Sequence, residues 1–244
     1  MPRFDSSLLV LRAGTRWKDA TTAAFLDAIN DGTLLPEAFN RWLVQDYHFA
    51  DALTSFQAIA AAKTPRQSRK SLIAGLGALD AEMDWFEAQA SARGLEFNAP
   101  VHEGCRRYCD FLIQAAYREP YPVLLAILFG VEASYFAAWS RISPKGPYAE
   151  FIDRWSNPRF ADYVESLRVL AEDNLHKSSQ RYFNARTRVL EDDLGGIDAS
   201  RDPLAAECAS GRSVFASPFR SRAGRRHPRT RNLPALRRPG RVLS

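Results

Sequence analysis

The chain has 244 residues, 46% apolar and 25% charged, which suits one large soluble globular domain with or without a tail. Its net charge of +5 misleads: ten arginines after Cys208, with no acid among them, supply +10 and leave −5 on the remainder, so the basic balance says little about partners of the folded part. Cys105, Cys109 and Cys208 make no disulfide framework, and the N-terminus MPRFDSSLLVLRAG lacks a long apolar signal region, so a reducing, cytoplasmic setting is expected.

Thr21 to Asn30 reads as a short amphipathic helix with Phe25, Leu26 and Ile29 on one side, ended by Asp31-Gly32. Pro36 suits the first turn of a long helix running to about Ala62. Its apolar stripe passes through Phe39, Trp42, Leu43, Phe49, Leu53 and Phe56, and Asp46 falls on that stripe. After Thr64-Pro65 a helix spans Ser68 to Arg93, with Leu72, Leu76, Leu79, Met83 and Phe86 at helical spacing and Gly94 closing it. Val101 to Tyr117 follows. Tyr121 to Trp139 is then apolar nearly all round, as a helix in the middle of a bundle is. Glu132 is its one ionisable acid or base apart from tyrosine. The stretch is long enough to span a bilayer, but Pro122, Gly130 and Glu132 argue against it. Short helices from Tyr148 to Trp155 and from Arg159 to about residue 185 complete the foldable part. Nothing in it alternates like a strand, so the class is all-α.

From about residue 195 the composition turns to Arg, Pro, Ser, Ala and Gly without helical period. The division is therefore 1–194, a helical domain, and 195–244, a tail expected to be disordered. Two origins for the tail stand: a basic arm for an anionic partner, or an out-of-frame chain end. All five lysines lie at or before Lys177, which favours the second.

No phosphate loop, serine-hydrolase elbow or zinc spacing occurs, and Asp173-x-x-His176 lacks the second half of a dimetal site. What remains is two core-facing acids, Asp46 and Glu132, among Phe49, Tyr108, Tyr135 and Trp155. A buried carboxyl is costly unless paired or protonated, so each is either a satisfied structural acid or a working one. Apolar, aromatic walls with a few polar groups suit a flat heterocycle.

Four segments, DGTLLPEAFNRWLVQDYHFADAL, LDAEMDWFEAQA, AILFGVEASYFAAWSRI and FIDRWSNPRFADYVESL, resemble the TenA (thiaminase II) family in that order, over about Ala20 to Leu175. The resemblance implies a haem-oxygenase-like helical bundle that hydrolyses aminopyrimidine breakdown products of thiamin and releases ammonia. By position, Asp46 matches the aspartate that holds the pyrimidine. Tyr108 and Tyr135 match pocket tyrosines, and Phe49 and Trp155 stand where many members have tyrosine. Many members carry a nucleophilic cysteine in the central helix. Here the run is Phe129-Gly130-Val131-Glu132, which matches a cysteine-less branch with Glu132 as the catalytic group. The family's last helix supplies a glutamate in Glu-x-x-Phe-Trp. This chain has no such pattern, and Asp193 is the nearest positional match to that catalytic residue. The resemblance implies no cofactor or metal and a homo-oligomeric state. A non-catalytic pyrimidine-binding protein of the same fold and a basic-tailed nucleic-acid binder are the competing expectations.

Overall fold

The computed structural model describes residues 7–143 and 145–176, with the side chain of His176 excepted. The expected helix beyond His176, Asp193 and the 195–244 tail lie outside the described residues. Within them the protein is helical and contains no strand. In chain order the helices are α1 (Leu8–Ala13), α2 (Thr15–Thr21), α3 (Ala24–Asn30), α4 (Pro36–Lys63), α5 (Lys70–Arg93), α6 (Glu103–Arg118), α7 (Tyr121–Trp139), α8 (Ala149–Ser156) and α9 (Pro158–His176).

The long helices begin and end where local chemistry dictates. Pro36 occupies the first turn of α4, where a missing N–H costs nothing. Gly94 adopts φ 63°, ψ 34° after α5, and the Leu95 N–H returns to the Ala90 carbonyl at 2.9 Å, a left-handed helix stop. His102 Nδ1 accepts from the Gly104 N–H at the start of α6, and Asn157 Oδ1 accepts from the Phe160 N–H at 2.9 Å at the start of α9. The ammonium of Lys63 donates to the carbonyls of Ala116, Tyr117 and Glu119, neutralising the negative end of α6 from the neighbouring helix.

Two differences from the sequence reading concern the N-terminus. The single helix expected from Thr21 to Asn30 is broken at Thr22–Ala23, and the two turns before it, α1 and α2, had no expectation. Tertiary contact explains them: Glu172 of α9 accepts from the Ser7 hydroxyl at 2.8 Å and the Leu8 N–H at 3.2 Å, pinning a six-residue helix too short to stand alone.

α7 is the hub. It packs against α9 most extensively and also against α1, α2, α4 and α8, while α4 carries α5 and α6 on its flanks. Although α7 is long and apolar enough to cross a membrane, most of it is buried inside the bundle. Leu124, Leu125, Leu128, Phe129, Ala133 and Trp139 are all inaccessible to solvent. Two apolar clusters result. One joins the later half of α4 to α5, α6, α7 and α9; the other joins α3, the first half of α4 and α8 to the end of α7. A cavity lies between residues of both.

Candidate functional site

A cavity of about 430 Å³ opens among α4, α5, α7, α8 and α9. Each helix contributes polar side chains to the wall: Asp46 from α4, Glu82 from α5, Glu132 and Tyr135 from α7, Arg154 and Trp155 from α8, and Arg159 and Tyr163 from α9, with Asn157 between the last two helices. Helical spacing accounts for the pairings. Glu132 and Tyr135, three residues apart, face the same way, and Asp46 lies a turn before Phe49 and Ala50, which also line the cavity.

Asp46 is 3% exposed. Its Oδ2 accepts from the Tyr135 hydroxyl at 2.7 Å, while its Oδ1 is buried with no partner among the described residues. Burial pushes the carboxyl well above the usual range; the Tyr135 bond opposes this, and the charge of Glu82 adds to it. Glu132, 7% exposed, has no hydrogen-bond partner among the described residues. Burial, reinforced by the charge of Glu82, raises it to about 8. At neutral pH it is therefore mostly a neutral acid, able to give a proton and take one back.

The structure brings Asp46, Phe49, Glu132, Tyr135 and Trp155 together around one cavity, as the sequence places them. Tyr108 stands apart. Its ring stacks behind Phe49 at 5.0 Å and 16°, and beside Phe111, so it backs a wall of the cavity without lining it. Trp155 packs edge-on to Tyr135 at 5.4 Å and against Trp139 at 4.8 Å, closing one end with aromatic surface.

Glu82, Tyr163, Arg154, Asn157 and Arg159 also line the cavity and were not singled out from the sequence. Glu82 opens to the cavity on one side and is enclosed by protein on the others. It accepts from the Trp155 indole N–H. The signal that singled out Asp46 was present for it too, since Glu82 lies three residues after Leu79 and four before Phe86 on the apolar stripe of α5. Tyr163 reads as a core residue in the sequence, yet its hydroxyl donates to Gln57 Oε1 at 3.2 Å beside the cavity, and Gln57 donates in turn to the Leu72 carbonyl at 2.8 Å. Both depend on Gly75. A Cβ there would sit 2.3 Å from Gln57 Nε2 and 2.3 Å from the Tyr163 hydroxyl.

The cysteines of α6 lie outside the cavity. Cys105 donates to the Gln45 carbonyl at 3.3 Å and sits 3.9 Å from Cys109; burial and that neighbour push its thiol up, away from the thiolate form. Among the described residues no group of three His, Cys, Asp or Glu side chains is arranged to hold a metal ion.

An all-helical bundle with three carboxyls and several aromatic rings around one central cavity has the form of a small-molecule binding protein or enzyme. The model of the TENA/THI-4/PQQC family matches residues 14–191, and the chain belongs to that family. A probable bifunctional TENA-E protein of Glycine max is 27% identical over 175 residues, 67% of this chain and 76% of that protein. Among solved structures, a TenA homologue from Pyrococcus furiosus superposes with TM-score 0.71 at 24% identity, covering 75% of this chain and 91% of its own. A TenA family transcription regulator from Silicibacter sp. gives 0.69 at 24% identity, covering 84% and 92%. These two likenesses establish the fold, the haem-oxygenase-like helical bundle.

Proposed function

We propose that this cavity binds an aminopyrimidine related to thiamin breakdown and hydrolyses its exocyclic C–N bond, a step of thiamin salvage. The observation that carries the reading is one cavity holding both an unpartnered, buried Asp46 Oδ1 and a buried Glu132 carboxyl raised to about 8. Asp46, held by Tyr135, presents Oδ1 to the amino group of the heterocycle, and Phe49 and Trp155 offer ring faces and edges for stacking. Glu132 donates its proton to the departing amine. The C–N bond breaks, water supplies the oxygen that takes the place of nitrogen on carbon, and the water proton returns to the carboxylate. Ammonia leaves and the hydroxymethyl product remains. The membership of the family and the kinship with a TENA-E protein support the same direction.

The test is ammonia release from an aminomethyl-pyrimidine by the full chain and by Glu132→Gln. Gln keeps the shape but cannot transfer the proton, so the rate should fall by about 10²–10⁴-fold. Wild-type turnover with an unimpaired Glu132→Gln variant refutes the mechanism. Tight pyrimidine binding without turnover in the wild type favours a binding protein of the same fold.

A further inference from the structure

We propose that Glu82 is a third working carboxyl of the cavity, a positioning residue that fixes the Trp155 wall and makes Glu132 the acid of the pair. The proposal rests on the hydrolytic reading of the cavity. Three carboxyls share a space of about 430 Å³, yet they are not equivalent. Asp46 is tied to a tyrosine hydroxyl through one oxygen and leaves the other buried and unpartnered. Glu132 has no partner among the described residues. Glu82 alone receives an indole N–H, from Trp155, and alone of the three feels the attraction of a nearby guanidinium, that of Arg154.

Those two contacts oppose the burial that raises Glu82, so it is the carboxyl best able to hold a negative charge in the cavity. Its charge then acts on both others, raising Asp46 and Glu132. The groups facing it from the surrounding helices are Asp46 on α4, Glu132 and Tyr135 on α7, Arg154 on α8, and Arg159 and Tyr163 on α9. Of these, Arg154 favours its charge. A negative charge on Glu82 therefore adds to the burial that keeps the proton on Glu132. The indole that stabilises Glu82 is the same ring that walls the cavity, so substrate position and proton position are set by one contact.

The experiment titrates Glu132 directly by carbon NMR of protein labelled at the glutamate side-chain carboxyl, its signal identified by loss in Glu132→Gln. In wild type the midpoint should lie at about 8. In Glu82→Gln, which retains an oxygen for the Trp155 N–H but no charge, it should fall by roughly one to three pH units, the effect of a like charge about 12 to 4 Å away at an effective dielectric of about 20. The alkaline limb of the rate profile should move with it. Glu82→Asp keeps the charge and should keep the midpoint near that of wild type, but its shorter side chain releases Trp155 and raises KM. An unmoved midpoint in Glu82→Gln overturns the proposal. So does an equal fall in Glu82→Asp, because shape and not charge then matters. So does a Glu82→Gln chain that fails to fold, which would make Glu82 a structural residue. The titration needs no substrate. A shifted midpoint in a protein that hydrolyses nothing sinks the pyrimidine reading alone; turnover with an unmoved midpoint sinks the Glu82 proposal alone.

Discussion

Replacing Glu132 by glutamine should make the protein more stable at alkaline pH and leave it nearly unchanged in mild acid. The carboxyl ionises at about 8 in the folded protein and at its ordinary 4.5 when exposed. Between those values the folded state holds a proton that the unfolded state has released, so the folded state binds more protons and stability declines as pH rises. The favourable contribution is complete below about pH 4.5 and lost by about pH 8. Each pH unit costs about 1.4 kcal/mol, so the whole span is worth roughly 5 kcal/mol, and the interval from pH 5 to pH 8 about 4 kcal/mol. Gln has the same shape and never ionises, which removes this slope. Asp46 and Glu82 titrate in both proteins, so the difference between wild type and variant reports Glu132 together with its coupling to Glu82. Urea denaturation at pH 5 and pH 8 reads it: the advantage of Glu132→Gln should grow by about 4 kcal/mol between the two, or about 8–16 °C in Tm for a domain of this size. Parallel stability curves would refute the assignment of Glu132 as a buried neutral acid, and with it the source of the catalytic proton.

Asp46→Asn should weaken aminopyrimidine binding about five- to 150-fold, the cost of about 1–3 kcal/mol for a buried polar group of the complex that loses its partner, and calorimetry should find the fold intact. Gly75→Ala should destabilise by about 1–3 kcal/mol in a thermal melt, since the added methyl displaces Gln57 and Tyr163. Gly77→Ala, on the same helix with nothing within 4 Å, should instead stabilise by about 0.5–1 kcal/mol. Cys105→Ser and Cys109→Ser should leave ammonia release intact, as both thiols lie off the cavity; a dead variant of either, beside an active wild type, would bring a thiolate into the chemistry.

The helices were legible because their signals are local. Pro36 and Gly94 punctuate the chain through their own backbone chemistry, and the stripe from Phe39 to Phe56 states which face of α4 turns inward. The apolar girdle of Tyr121–Trp139 marks the hub without any knowledge of its neighbours. Asp46 and Glu132 were legible for a related reason: a charge on a surface otherwise committed to burial is visible as an exception. Glu82 obeyed the same rule and could have been found with it. What the sequence could not state is which inward-facing groups share a space. Tyr108 and Tyr163 are both aromatic residues on inward faces, yet one stacks behind Phe49 and the other reaches the cavity, because the crossing of α4 with α6 and of α5 with α9 decides the outcome. The short α1 is held by tertiary contacts: Glu172, 165 positions away, accepts from Ser7, and Val10 is buried in the core. The protonation of Glu132 is likewise a tertiary property. It follows from the loss of water and the nearness of Glu82, neither of which is a property of the glutamate or of the helix that bears it.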